Sequence, residues 1–193
     1  MADVWKQIAK ELNTLLAPRG FQQSGLKFVN RVIPEVIRAV TVSKFRWNMP
    51  GDFRFQLIVS VYLATGDTGE FDFPGCAGRY SIVFERSTGD FVGDESLLYR
   101  VPAQLPLEEL DERLRANLES RVLPFLDSCS SIDATIGALD KYGNTTGHRL
   151  FSMQLAIALA RLGRVEESRI LFLRTPGDES VVRQVAATYG ITI

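Results

Sequence analysis

The chain has 193 residues, which suits one domain or a domain with a small extension, and it can bury a core without disulfides or metals. Hydrophobic residues make up 46% and charged residues 23%, which excludes a disordered chain, and the 12 phenylalanines point to an aromatic-rich core. The 22 basic and 23 acidic residues leave a formal net charge of −1, with no basic excess to make nucleic acid the main partner.

Trp5, Ile8, Leu12, Leu15 and Leu16 fall on one face of a first helix, which Pro18 and Gly20 end. Phe21 begins extended chain, and residues 26–31 alternate as a strand. After Pro34, residues 36–47 are rich in β-branched and aromatic side chains and read as a longer strand. Residues 48–52 are turn formers. The run 53–63 is the clearest strand: Phe53, Phe55, Leu57, Val59, Val61 and Leu63 share one face. Arg54, Gln56, Ser60 and Tyr62 share the other, with Ile58 the exception. This period predicts one buried and one mostly wet face, and the two strands flanking the turn should pair as an antiparallel hairpin. Residues 64–79 read as a long loop, 80–85 and 97–101 as short strands, and 87–94 as a turn-rich link.

From Pro106 the apolar spacing becomes helical: Leu107, Leu110, Leu114, Leu118, Val122 and Leu126 form a stripe whose end Pro124 should kink or shorten. Ser130 with Asp133 resembles a capping box for a helix carrying Ile132, Ile136 and Leu139, which Gly143 stops. Leu155, Leu159 and Leu162 mark the next helix, ended by Gly163, and residues 165–173 another, broken by Pro176 and Gly177. Asp178 caps a last helix with Val181, Val182, Val185 and Tyr189. The expected fold is α+β: an N-terminal helix, an antiparallel sheet of about 4–6 strands, a long helix, then a C-terminal bundle of short helices. Residues 1–128 read as the α+β domain and 129–193 as a helical extension packed on it.

The first 20 residues mix acids and bases and lack the apolar run of a signal peptide, and no apolar stretch is long enough to span a membrane. Cys76 and Cys129 show no metal-ligand spacing and read as two free thiols in a reducing cytoplasm. Catalytic signatures are missing. His148 is the one histidine and has no matched partner. There is no phosphate-binding glycine loop and no nucleophile elbow. The acidic clusters Asp67, Glu70, Asp72 and Asp90, Asp94, Glu95 read as solvated loop charge. No cofactor, metal site or catalytic residue is expected.

The most distinctive polar feature is the segment holding Lys44, Arg46, Trp47 and Asn48, with Arg54 expected across the hairpin. In a regular strand Lys44 and Arg46 share one face, and Phe45 and Trp47 the other. Cations beside an aromatic ring can hold an anion, a peptide carboxylate or a nucleobase. Ordinary alternation, with bases in water and aromatics in the core, explains the same pattern.

One family is similar to the N-terminal two-thirds. Gly20-Phe21 after an amphipathic helix, then Phe28 and Arg31, then Ser43-Lys44, Trp47-Asn48 and Phe53-Arg54-Phe55-Gln56-Leu57, resemble the bacterial domain-of-unknown-function family 4304 over residues 3–126. The resemblance implies a helix-flanked antiparallel sheet and carries no activity or catalytic residues. Residues 155–169 resemble a tetratricopeptide helix pair, though at most one and a half units fit, too few for an independent solenoid. The functional expectation is a soluble bacterial non-enzyme that binds another protein as an adaptor. An immunity protein against a toxin is one version, by analogy with small bacterial α+β proteins. The alternative is a small-ligand or nucleotide binder using the Lys44–Arg54 hairpin. Self-association stays open.

Overall fold

Helix α1, Ala2–Leu16, forms where the apolar spacing places it and buries Ile8, Leu12, Leu15 and Leu16. A 3-10 turn over Ala17–Arg19 closes it, and Gly20 follows with φ of 82°. This computed structural model describes residues 2–94, 97–102, 107–146 and 152–193. The strands are β1 Phe21–Ser24, β2 Lys27–Asn30, β3 Val36–Lys44, β4 Asp52–Gly66, β5 Phe71–Asp72, β6 Arg79–Ser87 and β7 Tyr99–Pro102. The helices are α2 Thr88–Val92, α3 Leu107–Asn117, α4 Leu123–Ser128, α5 Ile132–Thr146, α6 Ser152–Arg161, α7 Val165–Arg174 and α8 Glu179–Thr188. The fold is α+β, as expected.

Hydrogen-bonded neighbours run β1-β2-β3-β4-β6-β5, and β7 pairs with β4 off that path. Antiparallel registers join Phe28 to Val40, Asn30 to Arg38, and Arg54 to Arg100. The chain divides into two compact units. The first takes Met1–Val32, Arg38–Ser60 and Glu85–Ser128; the second takes Ile33–Ile37, Val61–Phe84 and Cys129–Ile193. Strands β3, β4 and β6 each contribute residues to both.

In the first unit Phe28, Val40, Phe55, Leu57 and Tyr99 are buried with Leu118, Val122 and Leu126. Each such side chain stabilises the fold by about 1.5–3 kcal/mol over leaving it in water. Tyr99 stacks on Phe55 at 5.4 Å, and its hydroxyl accepts from Asn117 at 2.9 Å. The buried Arg38 donates to the carbonyl of Leu126 at 3.1 Å, near the carboxyl end of α4 where the helix dipole is negative. The bend expected near Pro124 is a π-helical stretch, Leu118–Val122, between α3 and α4. Proline offers no N–H and crowds the carbonyl four residues back, and just ahead of it the N–H of Leu123 reaches five residues back to Leu118.

In the second unit Ala156, Phe172, Val182, Ala186 and Ile191 form a helical core. The Ser168 hydroxyl donates to the Ala156 carbonyl at 2.8 Å, tying α7 to α6. Asp178 caps α8 by accepting from the Ser180 N–H at 2.8 Å, as its position predicts. Two boundary expectations are corrected. Helix α5 continues through Gly143 to Thr146, and its capping hydroxyl comes from Ser131, which accepts from the Ala134 N–H at 3.1 Å, not from Ser130. The link at 87–94 holds the short helix α2, capped by Ser87 and Asp90.

Strand β4 alternates as predicted up to Ile58, but Ser60 and Tyr62 on the expected wet face are buried. Phe71 and Phe73 pack edge-on against Tyr62, at 5.1 and 5.0 Å between centroids. Both aromatics come from the segment read as a polar loop.

Candidate functional site at a bulged hairpin tip

Strand β3 ends at Lys44, three residues short of the predicted Trp47. The ladder with β4 closes at Phe45, whose N–H donates to the Arg54 carbonyl at 2.9 Å. It reopens at Met49 and Asp52, which exchange two backbone bonds of 3.3 and 3.0 Å around Pro50 and Gly51. Gly51 has φ of 82°, as the third position of a type II turn requires after a proline. Arg46, Trp47 and Asn48 therefore face Phe53 alone, a bulge of three residues against one on the β3 side. The Asn48 amide fills the gap in the ladder. Its Oδ1 accepts from the Arg54 N–H at 2.5 Å, and its Nδ2 donates to the Arg54 carbonyl at 3.0 Å.

The bulge turns two large apolar side chains outward. Trp47 is 70% exposed and Met49 68%. The Arg46 guanidinium lies over the Trp47 ring, 5.3 Å from its centroid. Lys44 points to the α1 face, with its Nζ 4.8 Å from the centroid of Trp5. Trp5 in turn meets Phe53 and Phe55 edge-on at 5.9 and 6.1 Å. Alternation along β4 then sends Arg54 to the opposite face from Phe53 and Phe55. There Arg54 pairs with Asp52 at 3.0 Å, and Arg100 of β7 grips the same carboxylate at 2.7 and 3.1 Å. Arg100, then Arg54, hold the Asp52 carboxyl down from 3.8 to about 2, and Asp52 raises the pKa of Arg100 in return. Without Asp52 the two arginines would sit directly opposite as like charges.

The five residues singled out from sequence thus divide. Arg46 and Trp47 share one side of the tip, which corrects the expectation that Arg46 pairs with Lys44 and Trp47 with Phe45. That expectation needed a regular strand, and the strand stops first. Asn48 spends both ends of its amide on the main chain. Lys44 and Arg54 leave on opposite faces. Sequence reasoning missed Met49, Asp52, Arg100 and Trp5. One signal for the bases of this hairpin was available: residues 1–60 hold nine Lys and Arg against four Asp and Glu, while residues 61–193 hold 13 against 19. The near-zero total hides it.

Several polar groups elsewhere among the described residues are committed to structure. Glu70 pairs with Arg161, which also donates to Ser81 at 2.7 Å and lies over Tyr189. Asp72 pairs with Arg79 at 3.4 Å, and Asp90 accepts from the Ser87 N–H at 2.8 Å. Cys76 is half-buried and Cys129 buried, and neither is in a disulfide. Burial, then the hydrogen bond with Cys76, push the Tyr80 phenol up to about 12, and its hydroxyl donates to the Pro34 carbonyl at 2.8 Å. Among the described residues no group of three His, Cys, Asp or Glu could hold a metal ion, and no helix is long and apolar enough to cross a membrane. His148 lies outside the described residues. The chain matches no protein-family model, no curated protein and no solved structure.

Proposed function

We propose that the chain is a protein-binding module of the bacterial cytoplasm, and that the bulged hairpin tip is the surface it presents. The observation that carries this is the outward Trp47 and Met49 pair on a tip pinned by Asn48. Tryptophan, methionine and arginine are the side chains enriched where proteins meet, and tryptophan and arginine dominate binding energy there. A tip already held in one conformation loses little entropy on docking. Two cysteines outside any disulfide suit a reducing compartment. The immunity-type version, in which the partner is a toxin, rests on analogy with other small α+β proteins alone.

The test places a photo-crosslinking phenylalanine derivative at Met49 in living native cells, with the same label at exposed Leu173 as control. The expected result is a protein adduct formed from Met49 and absent from Leu173. Identical adducts from both positions, or none containing protein, would sink the proposal.

A further inference from the structure

We infer that the tip takes an acidic segment of its partner, carrying one aromatic or large aliphatic side chain for Trp47 and Met49. This rests on the tip being a protein-docking surface and names the chemistry that would dock. The argument is charge complementarity. Arg46 lies over Trp47, Lys44 stands on the α1 face of the same tip and Arg54 and Arg100 on the opposite face, and among the described residues 44–54 and 99–102 Asp52 is the single acid. Arg54 and Arg100 share its carboxylate through Nη2, Nε and Nη2, which leaves further N–H donors on both guanidinium groups for a second carboxylate. Arg46 rests on the Trp47 ring, so a partner ring or alkyl chain and a partner carboxylate can meet within one contact.

Nucleic acid is the competing polyanion, and two observations favour peptide. Met49, as exposed as Trp47, suits an apolar side chain and offers no plane for a base to stack on. A net charge of −1 gives a long polyanion no overall attraction, whereas a short acidic segment needs only the bases of the tip.

The experiment measures fluorescence anisotropy of labelled probes on the full chain at several salt concentrations. The probes are a short Glu-rich peptide with one Phe, the same peptide with Ala for Phe, a Lys-rich peptide with the Phe, and a single-stranded oligothymidine. The Glu-rich Phe peptide should bind at least about tenfold tighter than each other probe, and more weakly as salt rises. Trp47→Ala and Arg46→Glu, both at exposed positions, should each weaken it by about tenfold. If the Lys-rich peptide binds equally well and Trp47→Ala still weakens it, the charge inference fails while protein docking stands. Tighter binding of oligothymidine overturns both. Binding of no probe overturns this inference, and the Met49 crosslink then judges the docking surface separately.

Discussion

The amide of Asn48 stands where a neighbouring peptide unit would stand in an unbroken ladder. It accepts from the Arg54 N–H and donates to the Arg54 carbonyl, so Arg46 and Trp47 can leave the strand without orphaning either group. Asn48→Ala removes both bonds at a half-buried site and should cost about 1–2 kcal/mol, most of it from the stranded N–H. Asn48→Asp keeps the acceptor and loses the donor, so it should fall between wild type and Asn48→Ala. Urea midpoints with an unchanged slope would check the order. An Asn48→Asp variant weaker than Asn48→Ala would contradict this account of the bulge. The role of Asn48 could not be read in sequence, because an asparagine among turn formers predicts a local turn. Here its partner is Arg54, six residues on across the hairpin, and only the observed register reveals it.

At the scale of elements, local pattern gave helices and strands their places, and long-range burial decided the exceptions. The alternation of 53–63 was legible because period two is a local signal. The burial of Tyr62 was not, because its cover comes from Phe71 and Phe73. Helix α5 runs through Gly143 although a helical glycine costs about 1 kcal/mol, with Leu139 and Tyr142 buried in the same turns. Two glycines now separate by environment. A Cβ on Gly69 would fall against N, C and O of Tyr80, the strand residue paired with Phe71. A Cβ on Gly137, exposed in the middle of α5, would meet nothing within 4 Å. Gly69→Ala should therefore destabilise by about 2 kcal/mol or more and weaken the near-ultraviolet signal of the packed tyrosines. Gly137→Ala should stabilise by about 0.5–1 kcal/mol. Thermal melts of the two variants should move in opposite directions, and equal shifts would refute the distinction.

For the whole molecule one group from each unit contributes to the stability profile at opposite extremes of pH. Asp52, in the first unit, has its carboxyl lowered from 3.8 to about 2 by Arg100 and Arg54. Its contribution is complete above pH 3.8 and is lost as pH falls through about 2, because the unfolded chain binds the proton first. The pair is open to water, so the effect is modest and salt-sensitive. Tyr80, in the second unit, is pushed from 10 up to about 12. The folded state favours its neutral phenol, so that contribution is complete below pH 10 and is lost as pH rises through about 12. Asp52→Asn should make the acid limb shallower, with the lowered Asp178 still contributing to it, and leave the alkaline limb. Tyr80→Phe should make the alkaline limb shallower and leave the acid one. Both tryptophans, Trp5 and Trp47, belong to the first unit, so their fluorescence follows that unit while far-ultraviolet circular dichroism follows both. Strands β3, β4 and β6 supply residues to both units, and a strand losing its ladder in one unit frays toward the other. The two signals should therefore report coincident urea transitions, and either variant should shift both together at its own pH extreme. A fluorescence transition that ignored Tyr80→Phe at high pH would show instead that the units unfold independently.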